Sequence, residues 1–344
     1  MSKNIQMLRG IAAMLVVLCH ATTQWGMTLP EMSQYAFAAG FTGVDLFFVI
    51  SGYVISKSAV AASERNGRLL GAADFGFNRA ARIFPLYWIV LAASIPLAFY
   101  ITGSISWGKP FSLWEVLTLS GDNPIVSVAW TLRFEVWFYA LIAALILITP
   151  PTFLRWALGS FALVYGIILV WAQLTGFNYG IVLFPVVLDF LFGILVFLYF
   201  DRGWKLPAGV TVAIGVTGLL IGTYMMVGNS WAKAGLRPYY LGIPAAVLVA
   251  GLISLEPRWR APRLLVAMGD ASYSTYLWHW PILYGLMMAQ IKIPGLATVA
   301  ATLIVMPCIG WLSYRYMERP IARWIAATRR GVSVPAVKWA PAPA

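Results

Sequence analysis

Apolar runs of close to twenty residues follow one another along almost the whole of this sequence, separated by shorter polar connections. A helix needs about 20 apolar residues to cross the hydrocarbon core of a bilayer. Of the 344 residues, 61% are hydrophobic and 10% are charged, and the mean hydropathy is +0.80. Soluble domains carry about 25% charged residues, so these charges are too few to cover a soluble surface. The sequence therefore predicts an all-α integral membrane protein.

About ten such runs predict a bundle of about ten transmembrane helices. We place them at residues 6–25, 40–59, 82–101, 133–150, 154–173, 180–200, 208–227, 238–255, 271–290 and 296–316. Residues 1–330 are assigned to one transmembrane domain. Residues 331–344 are rich in Pro and Ala and are predicted to form a disordered tail.

The longest connection between runs, residues 102–132, has an interfacial composition. Its aromatic residues include Trp107, Phe111, Trp114 and Trp130. Tryptophan favours the boundary between lipid and water, so this stretch is predicted to be an amphipathic or re-entrant segment.

Positive charges are unevenly distributed between the two sides of this predicted bundle. With the N-terminus inside, 19 of the 24 Lys and Arg residues fall in cytoplasmic segments. The five on the other side are Lys109, Arg133, Lys233, Arg237 and Lys292. The positive-inside rule then predicts that both termini are cytoplasmic. The same placement explains the net charge of +12 without a nucleic-acid partner.

Cysteine spacing predicts neither a disulfide framework nor a metal site. Cys19 and Cys308 both lie within apolar runs and are predicted to be small buried residues. The first run also has some features of a signal peptide, with a weak cleavage pattern at 36–38. We expect it to be retained, because it carries a motif described below.

Ionisable side chains within the predicted spans are costly in lipid and so indicate a functional site. His20 lies toward the outer end of the first helix, and Arg9 lies on the same helix face about 16 Å away. Asp45 and Glu135 are expected near the outer ends of the second and fourth helices. We expect His20, Asp45 and Glu135 to converge there as a general base with an orienting carboxylate. Alternatively, a neighbouring helix binds His20 structurally and Arg133 neutralises one of the acids.

Other polar groups are open to two interpretations each. Arg79 and Arg82 share a helix face at the cytoplasmic end of the third run, where they could bind a phosphate or serve as ordinary membrane anchors. His279 lies near the middle of the ninth run, two residues before Pro281, and is expected to be structural rather than catalytic. Helix rise predicts depths of about 22 Å for His20 and about 12 Å for His279, which argues against a shared haem iron.

Six segments, taken in order, resemble the acyltransferase-3 family of membrane acyltransferases, which modify bacterial surface glycans. The first contains an arginine and a histidine separated by ten residues, Arg9 and His20. The segments are Leu8–His20, Gly43–Tyr53, Arg79–Pro85, Trp130–Glu135, Ser272–His279 and Tyr316–Pro320.

This resemblance implies a ten-helix fold in the bacterial inner membrane and an acyl-CoA donor, normally acetyl-CoA. It implies that His20 is the essential catalytic residue and that the arginines hold the donor. The donor-binding set is then Arg9, Arg79, Arg82 and, from the second motif, Ser51. The acceptor would be a saccharide or lipid-linked saccharide, as in the short exopolysaccharide O-acetyltransferase branch.

Both the route of transfer and the function class have alternatives. His20 could activate an acceptor hydroxyl directly or form an acyl-histidine intermediate. A transporter or flippase for a lipid-linked sugar is the main competing function, although the sequence shows no internal repeat. A haem protein and a purely structural scaffold are the remaining alternatives.

Overall fold

The computed structural model describes residues 2–24, 30–106, 109–177, 180–228, 234–289 and 295–329, and regular structure within them is entirely helical. The proposed tail at 331–344 lies outside these residues, as does Trp107. The α-helices are α1 Lys3–Gln24, α2 Pro30–Thr102, α3 Leu113–Thr118, α4 Trp130–Ile148, α5 Leu154–Thr175, α6 Val187–Asp201, α7 Ala208–Met226, α8 Ile243–Leu255, α9 Arg263–Asp270, α10 Ser272–Met288, α11 Gly295–Ser313 and α12 Arg319–Arg329. Two π-helical turns, Pro238–Gly242 and Tyr314–Glu318, lead into α8 and α12.

Seven helical segments within the described residues are long and apolar enough to cross a membrane. They are Lys3–Thr22, Ser33–Thr102, Ser127–Ile148, Pro151–Thr175, Ala208–Met226, Ala234–Leu255 and Ala297–Arg329. The protein is therefore a multi-pass, all-helical membrane protein. Helices α6 and α10 coincide with two further predicted runs but have only 15 and 17 residues. The count of ten spans and the cytoplasmic termini stay predictions.

Helix α2 is a hairpin whose two arms, 30–66 and 68–102, contain the second and third predicted runs. The chain turns at Gly67, where φ is 71° and ψ is −165°. Residues with a Cβ rarely adopt this conformation, whereas glycine does so readily. Beyond the turn the arms lie side by side, and the Arg79 guanidinium donates a hydrogen bond to the Ser58 hydroxyl. We call this end of the bundle the Gly67 end.

The long connection after α2 folds back into the bundle. Ile125 and Val126 are at most 1% exposed, and the 3₁₀ turn Ser127–Ala129 leads directly into α4. The Tyr276 hydroxyl donates a 2.6 Å hydrogen bond to the carbonyl of Val128. Helix α4 therefore begins inside the protein rather than at its outer surface.

Helix α1 packs closely against α9, at two glycines. A Cβ at Gly10 would lie 2.9 Å from the Gly269 nitrogen, and a Cβ at Gly269 would lie 1.8 Å from the Gln6 carbonyl oxygen. Because α10 starts directly after α9 and runs alongside α1, residues ten positions beyond each glycine lie at a similar level. Those residues are His20 and His279.

Candidate active site

All four predicted donor-binding residues line one small cavity. This arginine cavity is bordered by Arg9, Ser51, Arg79 and Arg82, together with Glu135. Its volume is about 20 Å³, room for one or two water molecules. The α2 arms and α1 supply the first four residues, and α4 supplies the carboxylate.

Hydrogen bonds hold Glu135 within this cluster. The Ser51 hydroxyl donates to Glu135 Oε1 at 3.0 Å, and the Tyr139 hydroxyl donates to the same oxygen at 2.5 Å. The Arg79 guanidinium lies 5.7 Å from the Tyr139 ring centre. The Arg82 guanidinium makes no hydrogen bond or ion pair with any residue in the described ranges. Its donors are therefore available to a ligand.

Two larger cavities adjoin the arginine cavity on opposite sides. Toward the Gly67 end, a cavity of about 190 Å³ is lined by Ser58, Arg65, Asp74 and Arg79, among others. On the other side, a cavity of about 70 Å³ shares Arg82 with the arginine cavity and extends to Tyr276. Each larger cavity shares lining residues with the arginine cavity, and we call the three together, from the Gly67 end inward, the arginine passage.

The only two histidines of the chain meet beyond the inner end of this passage. His279 Nε2 lies 3.2 Å from His20 Nδ1, and the ring centres are 5.0 Å apart. The Tyr276 ring, which lines the passage, lies 5.6 Å from the His279 ring. The predicted difference in depth between the histidines was therefore wrong, because it took no account of the register between α1 and α10. A nitrogen separation of 3.2 Å leaves no room for an iron between the rings.

The surroundings of His20 define its hydrogen positions. Its Nδ1 lies 3.0 Å from the carbonyl oxygen of Val16, which can only accept a hydrogen bond. A hydrogen bond to this carbonyl requires the tautomer with its hydrogen on Nδ1, in which Nε2 keeps its lone pair. Trp280 meets the His20 ring edge-on, with 5.4 Å between centres, and its own buried Nε1 has no partner among the described residues.

Asp45 is bound elsewhere, in a buried ion pair. Arg237 Nη2 donates to Asp45 Oδ2 at 2.8 Å, and the two residues are 2% and 0% exposed. The Arg237 guanidinium also lies 4.1 Å from the Phe41 ring centre. Asp189, fully buried, interacts with the same pair. Arg237, which the charge count places on the non-cytoplasmic side, is thus buried between helices, and its side of the membrane stays a prediction.

The expected convergence of the two carboxylates on His20 is not observed. Gly40 packs against Cys19, next to His20, and Asp45 lies five residues further along α2, about 8 Å of helix rise toward the Gly67 end. Glu135 lies at the level of Arg9, about 16 Å of rise from His20, because α4 begins inside the bundle. The start of a helix along the chain therefore does not fix its level in the bundle.

Several groups at the site were missed or misplaced by sequence reasoning. Glu318 accepts a 2.6 Å hydrogen bond from Ser274 and lies near Arg9 and Arg82. Its motif was recognised, but its carboxylate was not assigned to the site. Arg133 pairs at 3.3 Å with Asp122 rather than with a predicted acid.

Outside the site, one further prediction was wrong. Cys19 is buried as expected, but Cys308 is exposed. An apolar run predicts insertion into lipid, but it does not show which side of a helix faces lipid and which faces protein.

A comparison with family models covers nearly the whole chain. A family model described as an acyltransferase domain matches residues 2–315, which include the arginine passage and both histidines. The chain belongs to the acyltransferase-3 family. It is therefore an acyltransferase by family.

Individual relatives extend over most of the chain. It is 30% identical to the exopolysaccharide production protein ExoZ of Rhizobium meliloti, across 85% of this chain and 93% of the relative. It is 25% identical to nodulation protein 10 of Rhizobium leguminosarum, across 98% and 91%. It is 23% identical to the O-acetyltransferase OatA of Staphylococcus aureus, across 92% of this chain but 56% of that protein. No solved structure matches the chain.

Proposed function

We propose that this protein transfers an acetyl or similar acyl group from cytosolic acyl-CoA to a hydroxyl of a surface or exopolysaccharide sugar, with His20 as general base. The observation that carries the proposal is the arginine passage, which leads from the Gly67 end past three arginines to Tyr276. The Tyr276 ring lies 5.6 Å from the ring of His279, the neighbour of His20. The proposed setting is a bacterial inner membrane with both chain termini in the cytoplasm.

The charge of the passage suits a polyanionic donor. Arg9, Arg79 and Arg82 carry three positive charges, against the carboxylates of Glu135 and Glu318. Guanidinium groups bind phosphates through paired, charge-assisted hydrogen bonds. With the Gly67 end in the cytosol, the phosphates of acyl-CoA would bind at the arginines. The narrow arginine cavity must then widen by side-chain movement to admit the pantetheine arm.

His20 has the hydrogen arrangement that a general base requires. In the proposed reaction, Nε2 accepts the proton of an acceptor hydroxyl while the hydroxyl oxygen bonds to the thioester carbonyl carbon. The carbon–sulfur bond then breaks, and the departing thiolate takes the proton from His20. Atoms and charge balance without a metal or redox group. An acyl-histidine route would use the same nitrogen as nucleophile.

The acceptor class is proposed from the printed names of the relatives. ExoZ is named for exopolysaccharide production and OatA as an O-acetyltransferase. Stacked against Trp280 at a ring distance of 5.0 Å, Tyr284 adds a second aromatic ring beside the histidines. Aromatic faces of this kind suit a sugar acceptor that approaches His20 from the side opposite the donor.

The test is proton NMR of surface polysaccharide from host cells that lack the gene. The cells are complemented with wild type, His20→Ala or Arg133→Ala, all matched for the amount of protein in the membrane. O-acyl signals should return with wild type and Arg133→Ala but not with His20→Ala. Signals restored by His20→Ala would overturn the role of His20. Absence of signals in all three strains, with sugar export changed, would favour the flippase.

A further inference from the structure

We propose that His279 is a positioning residue for His20. It accepts a hydrogen bond from His20 and orients the ring, the role that the carboxylate has in a Ser-His-Asp triad. This inference rests on the proposed function, because it assigns a partner to the proposed base. The two histidines are 259 positions apart in sequence, yet their nitrogens lie 3.2 Å apart.

The hydrogen bonds around His20 Nδ1 allow only one role for His279. The Val16 carbonyl requires a hydrogen on Nδ1, so His279 Nε2 must accept from that same N–H. His279 then carries its own hydrogen on Nδ1, which is buried beside the backbone carbonyls of Thr275 and Tyr276. His279 is thus neutral and acts as an acceptor toward His20.

This geometry leaves Nε2 of His20 for the reaction. Two acceptors, a carbonyl oxygen and an imidazole nitrogen, hold the Nδ1 side of the ring in place. When Nε2 takes a proton from the acceptor hydroxyl, the imidazolium can donate more strongly to both of them. His279 therefore stabilises the protonated base without taking the proton itself.

The buried setting favours a neutral partner over a carboxylate. His279 is 0% exposed, and no carboxylate in the described part of the chain hydrogen-bonds to either histidine. An isolated carboxylate at this depth would cost several kcal/mol of desolvation before it could stabilise anything. A neutral imidazole also accepts a hydrogen bond, and its burial costs much less desolvation free energy.

Packing keeps the two rings in register. The contact between Gly10 and Gly269 sets the relative height of α1 and α10, ten residues before each histidine. On the far side, the Tyr276 and Trp280 rings contact His279 and His20 respectively. The pair is therefore held by backbone packing as well as by its own hydrogen bond.

Nitrogen NMR tests the hydrogen bond directly, because the chain contains only two histidines. Protein labelled with ¹⁵N-histidine and reconstituted in lipid nanodiscs should show His20 with its hydrogen on Nδ1. A scalar coupling should connect that nitrogen to unprotonated Nε2 of His279. Absence of the coupling, or a protonated His279 Nε2, would overturn the inference whatever the enzyme's activity.

Kinetics with acyl-CoA and a sugar acceptor test the consequence. His279→Leu should lower kcat by about 10-fold, the worth of one hydrogen bond, with donor KM unchanged. His279→Gln, whose amide oxygen can accept, should recover most of the loss. The matched control is Trp278→Phe, on the same helix as His279. It removes a 2.9 Å hydrogen bond from Trp278 to Ser313 and should leave kcat unchanged.

The outcomes separate the two proposals. If wild type transfers acyl groups and folded His279→Leu retains full kcat, this inference alone fails. If wild type transfers nothing, the proposed function fails, and the positioning role fails with it. A folded state is verified for each variant by its melting temperature in detergent.

Discussion

Arg237 donates a 2.8 Å hydrogen bond to Asp45 from 192 positions away in sequence, and both side chains are almost fully buried. Asp189 lies beside them, fully buried, and makes no ion pair with Arg237 among the described residues. The ion pair joins the π-helical turn before α8 to the first arm of α2. This arrangement makes Asp45 part of the packing between helices rather than a partner of His20.

Removal of the paired cation should destabilise the fold strongly. Arg237→Leu leaves the buried Asp45 carboxylate without its counter-charge, a change that typically costs about 3–5 kcal/mol. The melting temperature in detergent measures the loss. Arg155→Leu is the matched control, because Arg155 pairs with Glu64 and Asp201 near the surface, where an ion pair contributes at most about 1 kcal/mol. Equal effects of the two variants would contradict this account.

Asp45→Asn should separate structure from catalysis. An amide weakens the pair with Arg237, so the melting temperature should fall. Turnover per folded molecule should stay within about 3-fold of wild type, well short of the roughly 100-fold loss expected for a group that assists proton transfer. A roughly 100-fold loss of turnover in folded Asp45→Asn protein would show that Asp45 takes part in the reaction.

Arg82→Ala should weaken donor binding. Its guanidinium makes no hydrogen bond or ion pair among the described residues, and a charge-assisted hydrogen bond contributes about 1.5–3 kcal/mol, or roughly 10- to 150-fold in affinity. Calorimetric titration with a non-hydrolysable acyl-CoA analogue measures the change. Arg133→Ala also removes one arginine, but from an exposed pair with Asp122 outside the passage, and should leave the affinity unchanged. An unaltered affinity in Arg82→Ala would remove this residue from the donor site.

Gly269→Ala should push α1 and α9 apart. Its Cβ would lie 1.8 Å from the Gln6 carbonyl oxygen, and overpacking of this kind costs about 1–3 kcal/mol. We expect a lower melting temperature together with a loss of the nitrogen coupling between His20 and His279. Gly76→Ala is the control, since a Cβ there meets nothing within 4 Å and should be neutral or stabilising. A retained coupling in Gly269→Ala would show that other contacts set the register.

Glu256, in the connection after α8, should make stability depend on pH. Although burial opposes the shift, hydrogen bonds from the Ser2 hydroxyl and the backbone amides of Asn4 and Lys3 lower the pKa of Glu256 below its ordinary value of 4.5. A carboxyl whose pKa falls on folding stabilises the protein above its ordinary pKa, and this contribution is lost as pH falls through the folded value.

The measurement compares melting temperatures of wild type and Glu256→Gln. The difference should be largest at about pH 7 and should shrink as the pH falls below the ordinary value of 4.5 and through the lowered pKa of the folded carboxyl. Asp122→Asn, which alters an exposed carboxylate, should show little difference at either pH. A gap for Glu256→Gln that does not change with pH would exclude the carboxylate as the cause.

Sequence patterns alone established the class of the protein and most of its helices. Each predicted apolar run overlaps a helix or an arm of α2, because hydropathy is a local property that decides which residues can enter lipid. The four residues that the motifs assign to the donor, Arg9, Ser51, Arg79 and Arg82, line one cavity, and their role in donor binding stays a prediction.

Only the tertiary structure decided which side chains become partners. His20 meets His279 because Gly10 and Gly269 set the register of two helices that are far apart in sequence. Glu135 lies with the arginines because the chain before α4 folds inward. The sequence determines where each helix forms, but the depth at which it starts and the neighbour it packs against follow from contacts between distant segments. Because of those contacts, Asp45 and Glu135 lie away from His20.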